Sequence, residues 1–129
     1  MASLLLDTHS LLWWLDGDER LSAAARAAIA DTTNLVMVSA ASAWEITTKH
    51  RLGKLPGAAD VARDVAGCVL AQGFQELPIT LRDAERAGRL PGPHRDPFDR
   101  MLVAQALRAD VELVSNETVF DGYGVRRLW

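Results

Sequence analysis

Short, uninterrupted runs of apolar residues alternate along this chain with longer segments of helical character. Residues 4–6 and 35–38 form two such runs, which are typical of strands covered on both faces of a sheet. Because parallel strands need a crossover connection, and the crossover is usually a helix, this alternation predicts a parallel sheet. The chain is therefore predicted to be an α/β protein with helices on both faces of a mainly parallel sheet.

The remaining segments complete a prediction of four to five strands and several helices. Residues 74–79 and 112–115 have strand character, although Pro78 weakens the first, and residues 125–128 are the candidate for a fifth strand. Asp96 followed by Pro97 is typical of a helix start, with the Asp as N-cap and the Pro as the first helical residue. The predicted helices cover residues 10–15, 22–30, 39–52, 58–72, 80–90 and 97–109.

Length, charge and cysteine content limit the classes of protein to which this chain can belong. Its 129 residues suit a single domain over residues 1–129. With 14 Lys and Arg against 17 Asp and Glu, the net charge is −3, so any nucleic-acid contact needs a local basic patch. The single cysteine, Cys68, excludes an internal disulfide and a multi-cysteine zinc site and fits a reducing cytoplasm. Neither a signal peptide nor a membrane-spanning run is predicted.

Acidic residues recur where the strands of the predicted sheet end. Asp7 directly follows the first strand, Glu45 lies in the helix after the second strand, and Glu117 follows the fourth. Asp99 lies in the first turn of the helix that precedes the fourth strand. Ligands of such sheets bind beyond the carboxyl ends of the strands, so these four segments bring acids to the edge where a ligand would bind.

Each of these acids also has a structural explanation when it is considered alone. Asp7 and Asp96 can serve as helix N-caps, and Glu45 can form a capping box with Ser42. Asp99 can compensate the helix dipole, and Asn116 and Glu117 can be ordinary polar residues of a loop. The coincidence of four acids at one edge favours a functional site. Two carboxylates about 4 Å apart repel by about 4 kcal/mol at an effective dielectric constant of about 20, so such a cluster would take up protons or bind a cation. Oxygen donors suit Mg²⁺ or Mn²⁺, and this predicts metal-assisted phosphodiester hydrolysis.

Four sequence motifs occur in order along nearly the whole chain. They are Leu4-Leu5-Leu6-Asp7-Thr8-His9 with Leu11-Leu12-Trp13-Trp14, then Val38-Ser39-Ala40-Ala41-Ser42-Ala43-Trp44-Glu45-Ile46, then His94-Arg95-Asp96-Pro97-Phe98-Asp99-Arg100-Met101-Leu102-Val103-Ala104-Gln105-Ala106, and finally Phe120-Asp121-Gly122-Tyr123-Gly124-Val125. In this order the chain resembles the PIN-domain ribonucleases, and most closely the VapC-type toxins of type II toxin–antitoxin systems.

The resemblance implies a three-layer α/β/α fold and an endoribonuclease that depends on Mg²⁺ or Mn²⁺ and leaves 5′-phosphate and 3′-hydroxyl ends. It implies that Asp7 and Asp99 hold the metal directly and that Glu45 orients the metal or its bound water. The family usually follows its fourth strand with Thr-x-Asp. Here the triplet is Ser115-Asn116-Glu117, so the fourth acid, Glu117, has a side chain longer by one methylene.

Several polar residues near these acids are candidates for contacts with the substrate. Thr8 and Ser39 are candidates to position Asp7 or the scissile phosphate, and Arg95, Arg100 and Asn116 are candidates to bind the RNA. Asp96 is assigned to the helix cap. The residues left outside the site are Lys49, Arg51 and Lys54, predicted on a solvated helix face, and the isolated histidines His9, His50 and His94.

The apolar residues 11–15 are explained either by core packing or by an interface. The resemblance implies that this interface joins two copies of the chain, or the chain and a small VapB-type antitoxin laid across its helices. A phosphorylated signalling domain fits less well, because it would usually show an acidic pair near the first strand. A nucleotide-binding module is disfavoured because no glycine-rich phosphate loop occurs. A catalytically inactive PIN-like module that binds RNA or the antitoxin remains the alternative, since Glu117 departs from the family's Asp.

Overall fold

Five parallel strands form one sheet at the centre of the molecule. The computed structural model describes all residues from Met1 to Trp129. The strands are β1 (Ser3–Leu6), β2 (Leu35–Ser39), β3 (Gln75–Leu77), β4 (Glu112–Val114) and β5 (Arg127–Leu128), in the spatial order β3-β2-β1-β4-β5. β1 is central, and its Leu5 pairs with Met37 on one side and with Leu113 on the other. The predicted parallel sheet and its fifth strand are confirmed.

Helices cover both faces of the sheet, as the continuous apolar character of the strands predicts. Leu4 and Leu6 of β1 belong to one buried cluster, together with Leu11 and Ile46 from two covering helices. Leu5 points to the opposite face and belongs to a second cluster that includes Leu102. Successive side chains of a strand point to opposite faces, so β1 contributes to both cores at once. The three-layer α/β/α fold is confirmed.

Seven α-helices connect the strands. They are α1 (Thr8–Asp16), α2 (Ala23–Ala30), α3 (Ala40–Arg51), α4 (Ala59–Arg63), α5 (Val65–Ala71), α6 (Leu81–Arg89) and α7 (Pro97–Ala109). Short 3₁₀ turns cover Pro56–Ala58 and Thr118–Tyr123. Side-chain caps begin most of the helices, and Asp96 caps α7 as predicted. None of these helices has the length and apolar character needed to cross a membrane.

The prediction of one helix over residues 58–72 is wrong. Asp64 has a non-helical backbone, with φ −157° and ψ 77°, and this conformation separates α4 from α5. The Asp64 side chain accepts a hydrogen bond from the backbone N–H of Gly67 at 2.9 Å and thereby caps α5. A Cβ atom at Gly67 would lie 2.2 Å from a carboxylate oxygen of Asp64, so this cap leaves no room for a larger residue.

The apolar stretch at residues 11–15 is divided between core and surface. Leu11 and Leu12 are buried, whereas Trp13 and Trp14 are only partly buried against the same cluster. The indole N–H of Trp14 donates to Gln72 at 2.9 Å. Core packing therefore explains the leucines.

Candidate active site

The predicted acids come from four segments that lie around the carboxyl ends of the central strands. Asp7 follows β1, Glu45 lies in the second turn of α3, Asp99 lies in the first turn of α7, and Glu117 follows β4. The parallel arrangement of β1, β2 and β4 brings the first residues after these strands to one edge.

Asp7 caps α1 and is almost completely buried. Its side chain accepts a hydrogen bond from the backbone N–H of Ser10 at 2.8 Å, and its own N–H donates to the carbonyl of Val114 at 3.1 Å. Burial raises the pKa of Asp7 above its ordinary value, and hydrogen bonds from Ser115 and Ser10 oppose only part of this effect. The predicted cap is confirmed, and the same carboxylate remains the candidate for the site.

Glu45 is held by residues of α1 and α3. The hydroxyl of Thr8 lies 2.5 Å from Oε1 of Glu45, and the ammonium of Lys49 pairs with Oε2. The structural alternative of a Ser42–Glu45 capping box is wrong, because Ser39 is the N-cap of α3 and both residues lie inside the helix. Glu45 is buried although it is charged, so its position is not explained by a cap at a helix end.

Asp99 has three other acids among the groups that act on its carboxyl. Its Oδ2 lies 2.8 Å from Nε2 of His94. Burial raises the pKa of Asp99 to about 7, a hydrogen bond with His94 opposes this effect, and the negative charges of Asp96, Glu117 and Glu45 add to it. These charges come from the N-cap of α7, from α3 and from the segment after β4, and the parallel topology brings these segments to the same edge of the sheet.

Lys49 lies within this site, so its predicted place on a solvated helix face is wrong. Burial acts to lower the pKa of Lys49, but the ion pair with Glu45 and the nearby charges of Asp96 and Asp99 raise it above its ordinary value. The signal was available in the sequence, because Lys49 follows Glu45 by four residues and such positions are neighbours on a helix. Arg51 and Lys54 are exposed, as predicted.

His94 is a second site residue that the sequence analysis did not assign. It lies in the loop before α7, contacts Asp99, and packs edge-on against Phe120 with ring centroids 6.5 Å apart. No helical periodicity applies to a residue in a loop, so its contact with Asp99 had no spacing signal. Ser115 was also unassigned, although it accepts a hydrogen bond from the N–H of Glu117 at 3.0 Å and hydrogen-bonds to Asp7.

Two of the predicted substrate contacts have structural roles instead. Ser39 is buried, caps α3, and has its hydroxyl 2.5 Å from Oε1 of Gln105, so it does not reach Asp7 or a phosphate. The guanidinium of Arg100 donates to backbone carbonyls in the last turn of α6 and in the segment between α6 and α7. These carbonyls belong to Ala87, Leu90 and His94. The guanidinium of Arg100 therefore holds this segment and does not have the predicted role of binding a phosphate.

The other residues predicted to contact the substrate differ in their solvent exposure. Thr8 is buried and uses its hydroxyl on Glu45, so it positions an acid of the site. Arg95 and Asn116 are exposed on the loop before α7 and after β4. Their roles in substrate binding stay predictions.

The donors of this site fit a hard divalent cation by their chemistry. Asp7, Glu45, Asp99 and Glu117 offer only oxygen atoms, and Asp99 lies in an excess of negative charge that a cation would neutralise. No three His, Cys, Asp or Glu side chains converge closely enough in this structure to form a complete metal-binding group. The ion pair of Glu45 with Lys49 occupies one of the oxygens that a metal would use.

Comparisons with known proteins agree with this fold. The model of the PIN domain family matches residues 4–125. Ribonuclease VapC16 of Mycobacterium tuberculosis is 58% identical over 31 residues, which cover 24% of this chain and 22% of that relative. The chain therefore matches only about a fifth of the length of this curated relative.

Solved structures are similar over almost the whole chain. The VapBC2 structure from Rickettsia felis, bound to a DNA fragment from its promoter, has a TM-score of 0.68 at 12% identity and covers 98% of this chain and 97% of that one. VapC20 of Mycobacterium tuberculosis, a toxin that cleaves the sarcin–ricin loop, has a TM-score of 0.68 at 17% identity, with 95% of each chain covered. At these identities the likeness shows the fold.

Proposed function

The chain belongs to the PIN domain family, and on this premise we propose that it is a metal-dependent endoribonuclease toxin. It hydrolyses phosphodiester bonds of RNA with Mg²⁺ or Mn²⁺ as cofactor, and a cognate VapB-type antitoxin neutralises it. The local similarity to a named ribonuclease and the folds of the VapC-containing structures support this proposal.

The excess negative charge around Asp99 is the observation that carries the proposal. Burial and the negative charges of Asp96, Glu117 and Glu45 raise the pKa of this carboxyl to about 7, although its side chain is 15% exposed. Such a cluster costs folding free energy, and a bound cation would remove the cost. A phosphodiester substrate is itself anionic and would be repelled by the uncompensated acids.

The proposal assigns each acid the role that the resemblance to PIN-domain ribonucleases implies. Asp7 and Asp99 hold the cation, Glu45 orients it, and Glu117 acts as the fourth acid after β4. When bound, the cation would stabilise charge on the phosphoryl oxygens and activate water for attack on phosphorus. His94 orients Asp99 through its contact at 2.8 Å.

The remaining polar residues support these acids or the RNA. Thr8 holds Glu45, and Asp96 caps the helix that carries Asp99. Arg95 and Asn116, which are exposed near the acids in sequence, contact the RNA backbone.

We further propose a single domain over residues 1–129 that acts in the cytoplasm. As a toxin of this type it would form a homodimer or a hetero-oligomer with its antitoxin. The similarity to VapBC assemblies supports this organisation.

An inactive binding module is the second candidate, because one observation favours it. Lys49 neutralises Glu45, and no three potential ligands converge. Such a module would bind RNA or the antitoxin with the same fold and would not cut.

Cleavage of labelled RNA by antitoxin-free protein tests the proposal. The protein is incubated with Mn²⁺, beside samples with EDTA and with the Asp7→Asn variant. Asn still offers an oxygen to cap α1, so this variant retains the N–H contact of Ser10 and tests the carboxylate itself. Metal-dependent cutting that disappears in both controls is expected. A folded wild-type protein that cuts none of a broad set of RNAs would favour the inactive module.

A further inference from the structure

Lys49 is one of only two lysines in the chain, and it lies among the acids of the candidate active site. The other lysine, Lys54, lies in the exposed segment after α3. The ammonium of Lys49 pairs with Oε2 of Glu45, which lies four residues earlier on the same helix. The Lys49 side chain is 29% exposed and that of Glu45 is 5% exposed, so a partly accessible cation covers a buried acid.

Both carboxylate oxygens of Glu45 already have partners. Oε1 lies 2.5 Å from the hydroxyl of Thr8, and Oε2 accepts a hydrogen bond from Lys49. Thr8 is buried at the start of α1, where its hydroxyl also lies 3.1 Å from that of Ser42. Lys49 instead reaches Glu45 from the end of a flexible aliphatic chain. A cation that binds Glu45 must replace one of these partners, and Lys49 is the one that can move away without disturbing the core.

The contact of Lys49 with Glu45 is less constrained than the structural ion pair of Asp83 with Arg108. Arg108 donates two hydrogen bonds, at 2.6 and 3.0 Å, one to each oxygen of Asp83. The ammonium of Lys49 has three donors, and only the one to Glu45 is used within the protein. Lys49 thus supplies a charge to Glu45 without the fixed two-point geometry that holds Asp83.

Lys49 also lies close to the helix that carries Asp99. Its Nζ is 5.9 Å from the centroid of the Phe98 ring, and Phe98 immediately precedes Asp99. The charges of Asp96 and Asp99 act on Lys49 in addition to that of Glu45. The ammonium therefore lies among acids of α3 and α7, where the proposed divalent cation would bind.

We propose that Lys49 is the counter-ion of Glu45 in the metal-free protein and that it gives up this carboxylate when a divalent cation binds. This inference rests on the proposed function, because it takes Mg²⁺ or Mn²⁺ as the cofactor of the acids. An ammonium and a divalent cation repel each other at short range, so each weakens the binding of the other to Glu45. The ion pair then belongs to the metal-free state, and it does not by itself favour an inactive module.

Binding of Mn²⁺ in the absence of RNA tests this exchange. The electron paramagnetic resonance signal of free Mn²⁺ gives the dissociation constant for the full chain. Lys49→Met is expected to bind Mn²⁺ about tenfold more tightly than the wild type, because the competing charge is gone. Lys49→Arg, which keeps a cation beside Glu45, should stay within about threefold of the wild type. Lys54→Met is the matched control and should leave the dissociation constant unchanged, since Lys54 is exposed.

The same measurement in a Glu45→Gln background locates the exchange at this carboxylate. Glu45→Gln alone should weaken Mn²⁺ binding, and it should reduce the effect of Lys49→Met to about twofold. A full tenfold effect in this background would overturn the exchange, because Lys49 would then act only by general repulsion. Unfolding curves of each variant in EDTA check that the fold is intact.

Chemical labelling of the two lysines tests the exchange in the wild-type protein. The reaction of each side chain with an amine-reactive acylating reagent is followed by mass spectrometry. In EDTA, Lys49 should react more slowly than Lys54, because its ammonium is paired and partly buried. Millimolar Mg²⁺ should raise the rate at Lys49 several-fold and leave the rate at Lys54 unchanged. An unchanged rate at Lys49 would overturn its release from Glu45.

The exchange and the proposed function can fail separately. If the wild type binds Mn²⁺ and cuts RNA but Lys49→Met binds Mn²⁺ no more tightly, the exchange is wrong and the nuclease stands. If Lys49→Met binds Mn²⁺ more tightly but the wild type cuts no RNA, the exchange stands and the nuclease is wrong. Absence of Mn²⁺ binding in both proteins would overturn the exchange whatever the cleavage assay shows.

Discussion

Asp83 and Asp99 are two aspartates with little solvent exposure, and the charges that surround them are of opposite sign. Asp83, on α6, is 1% exposed and accepts hydrogen bonds from Arg108 at 2.6 and 3.0 Å. Burial acts to raise the pKa of Asp83, but the hydrogen bonds from Arg108 and Thr80 together hold it below its ordinary value. Asp99 has only His94 as a partner among three other acids, and its pKa is raised to about 7.

Asp83 is therefore a charge that the fold compensates, whereas Asp99 is a charge that the fold leaves without a cationic partner. The pair of Asp83 and Arg108 fixes α6 against α7, since each charge compensates the other. Asp99 lacks such a partner, so the fold tolerates a cost at this position. Perturbed acids in an unbalanced cluster are typical of functional sites, although structural networks also perturb pKa values.

Removing the charge of Asp99 should have the largest effect, and it should fall on cleavage. Asp99→Asn is expected to lower the rate of RNA cleavage by more than about a hundredfold, because a ligand lost from a metal site costs at least as much as a lost supporting contact. Asp96→Asn is the matched control, since Asn remains a good N-cap and only the charge is lost. We expect the Asp96→Asn variant to cleave RNA at a rate within about tenfold of the wild-type rate, measured as initial rates in Mn²⁺. Equal losses in both variants would mean that Asp96 is more than a cap.

Breaking the pair at Asp83 should instead affect stability. Arg108→Leu leaves a buried carboxylate without its cation and is expected to lower the free energy of unfolding by about 2 kcal/mol. The loss stays below the value for a fully buried pair because the Arg108 side chain is 38% exposed. Urea unfolding measures it, with Arg63→Gln as the control for an exposed arginine of a weak pair. Lower cleavage per folded molecule in Arg108→Leu would contradict the separation of the two aspartates.

The elements that rest on local sequence were predictable. The Asp96-Pro97 start of α7 is confirmed, and α6 likewise begins with a local signal, the capping box of Thr80 and Asp83. Each depends on residues within one turn, so the sequence contains the whole interaction. The break at Asp64 was not predictable in this way, because the segment has good helix formers on both sides and the turn is fixed by one side-chain contact with Gly67.

The sequence predicted that acids would lie at one edge of the sheet, but it did not predict which side chains contact one another there. Parallel topology brings Asp7, Glu45 and Asp99 towards one edge, and that follows from the order of strands and helices. The contact of Thr8 with Glu45 joins residues 37 apart, and that of Asp83 with Arg108 joins residues 25 apart. Such contacts depend on how helices pack, which periodicity does not specify.

As the pH is lowered, Asp99 and Asp83 should change the stability of the metal-free protein in opposite directions. The pKa of Asp99 is about 7 in the fold and 3.8 ordinarily, so the folded state binds a proton that the unfolded state does not, and stability rises as pH falls from about 7 towards 4. The gain is at most about 1.4 kcal/mol per pH unit. The depressed pKa of Asp83 gives stability that is present above about 4 and is lost as pH falls further.

Urea unfolding in EDTA over this pH range checks both signs. Asp99→Asn should flatten the upper part of the curve and leave the acid limb unchanged. Arg108→Leu should lower the stability above about pH 4 and remove much of its fall at more acid pH, since the pair no longer depresses the pKa of Asp83. Because His94 contacts Asp99, His94→Gln shows how much of the upper slope the histidine contributes. A wild-type protein whose stability falls between pH 7 and 5 would contradict the excess negative charge at the acid edge.

A divalent cation should have the smallest effect, and it should act on the acid edge alone. At ten times its dissociation constant, Mn²⁺ would add about 1.4 kcal/mol of stability, because it binds the folded state. For a chain of this length the thermal midpoint would rise by about 5 °C. Arg108→Leu should keep this rise from its lower starting point, since Asp83 lies outside the site, whereas Asp99→Asn should lose it. A midpoint that does not respond to millimolar Mn²⁺ in the wild type would mean that no cation binds the folded protein, and an equal rise in Asp99→Asn would place the cation elsewhere. In either case the unbalanced charge of Asp99 would need another partner, and an arginine or lysine of the proposed antitoxin is the one that the sign of the charge favours.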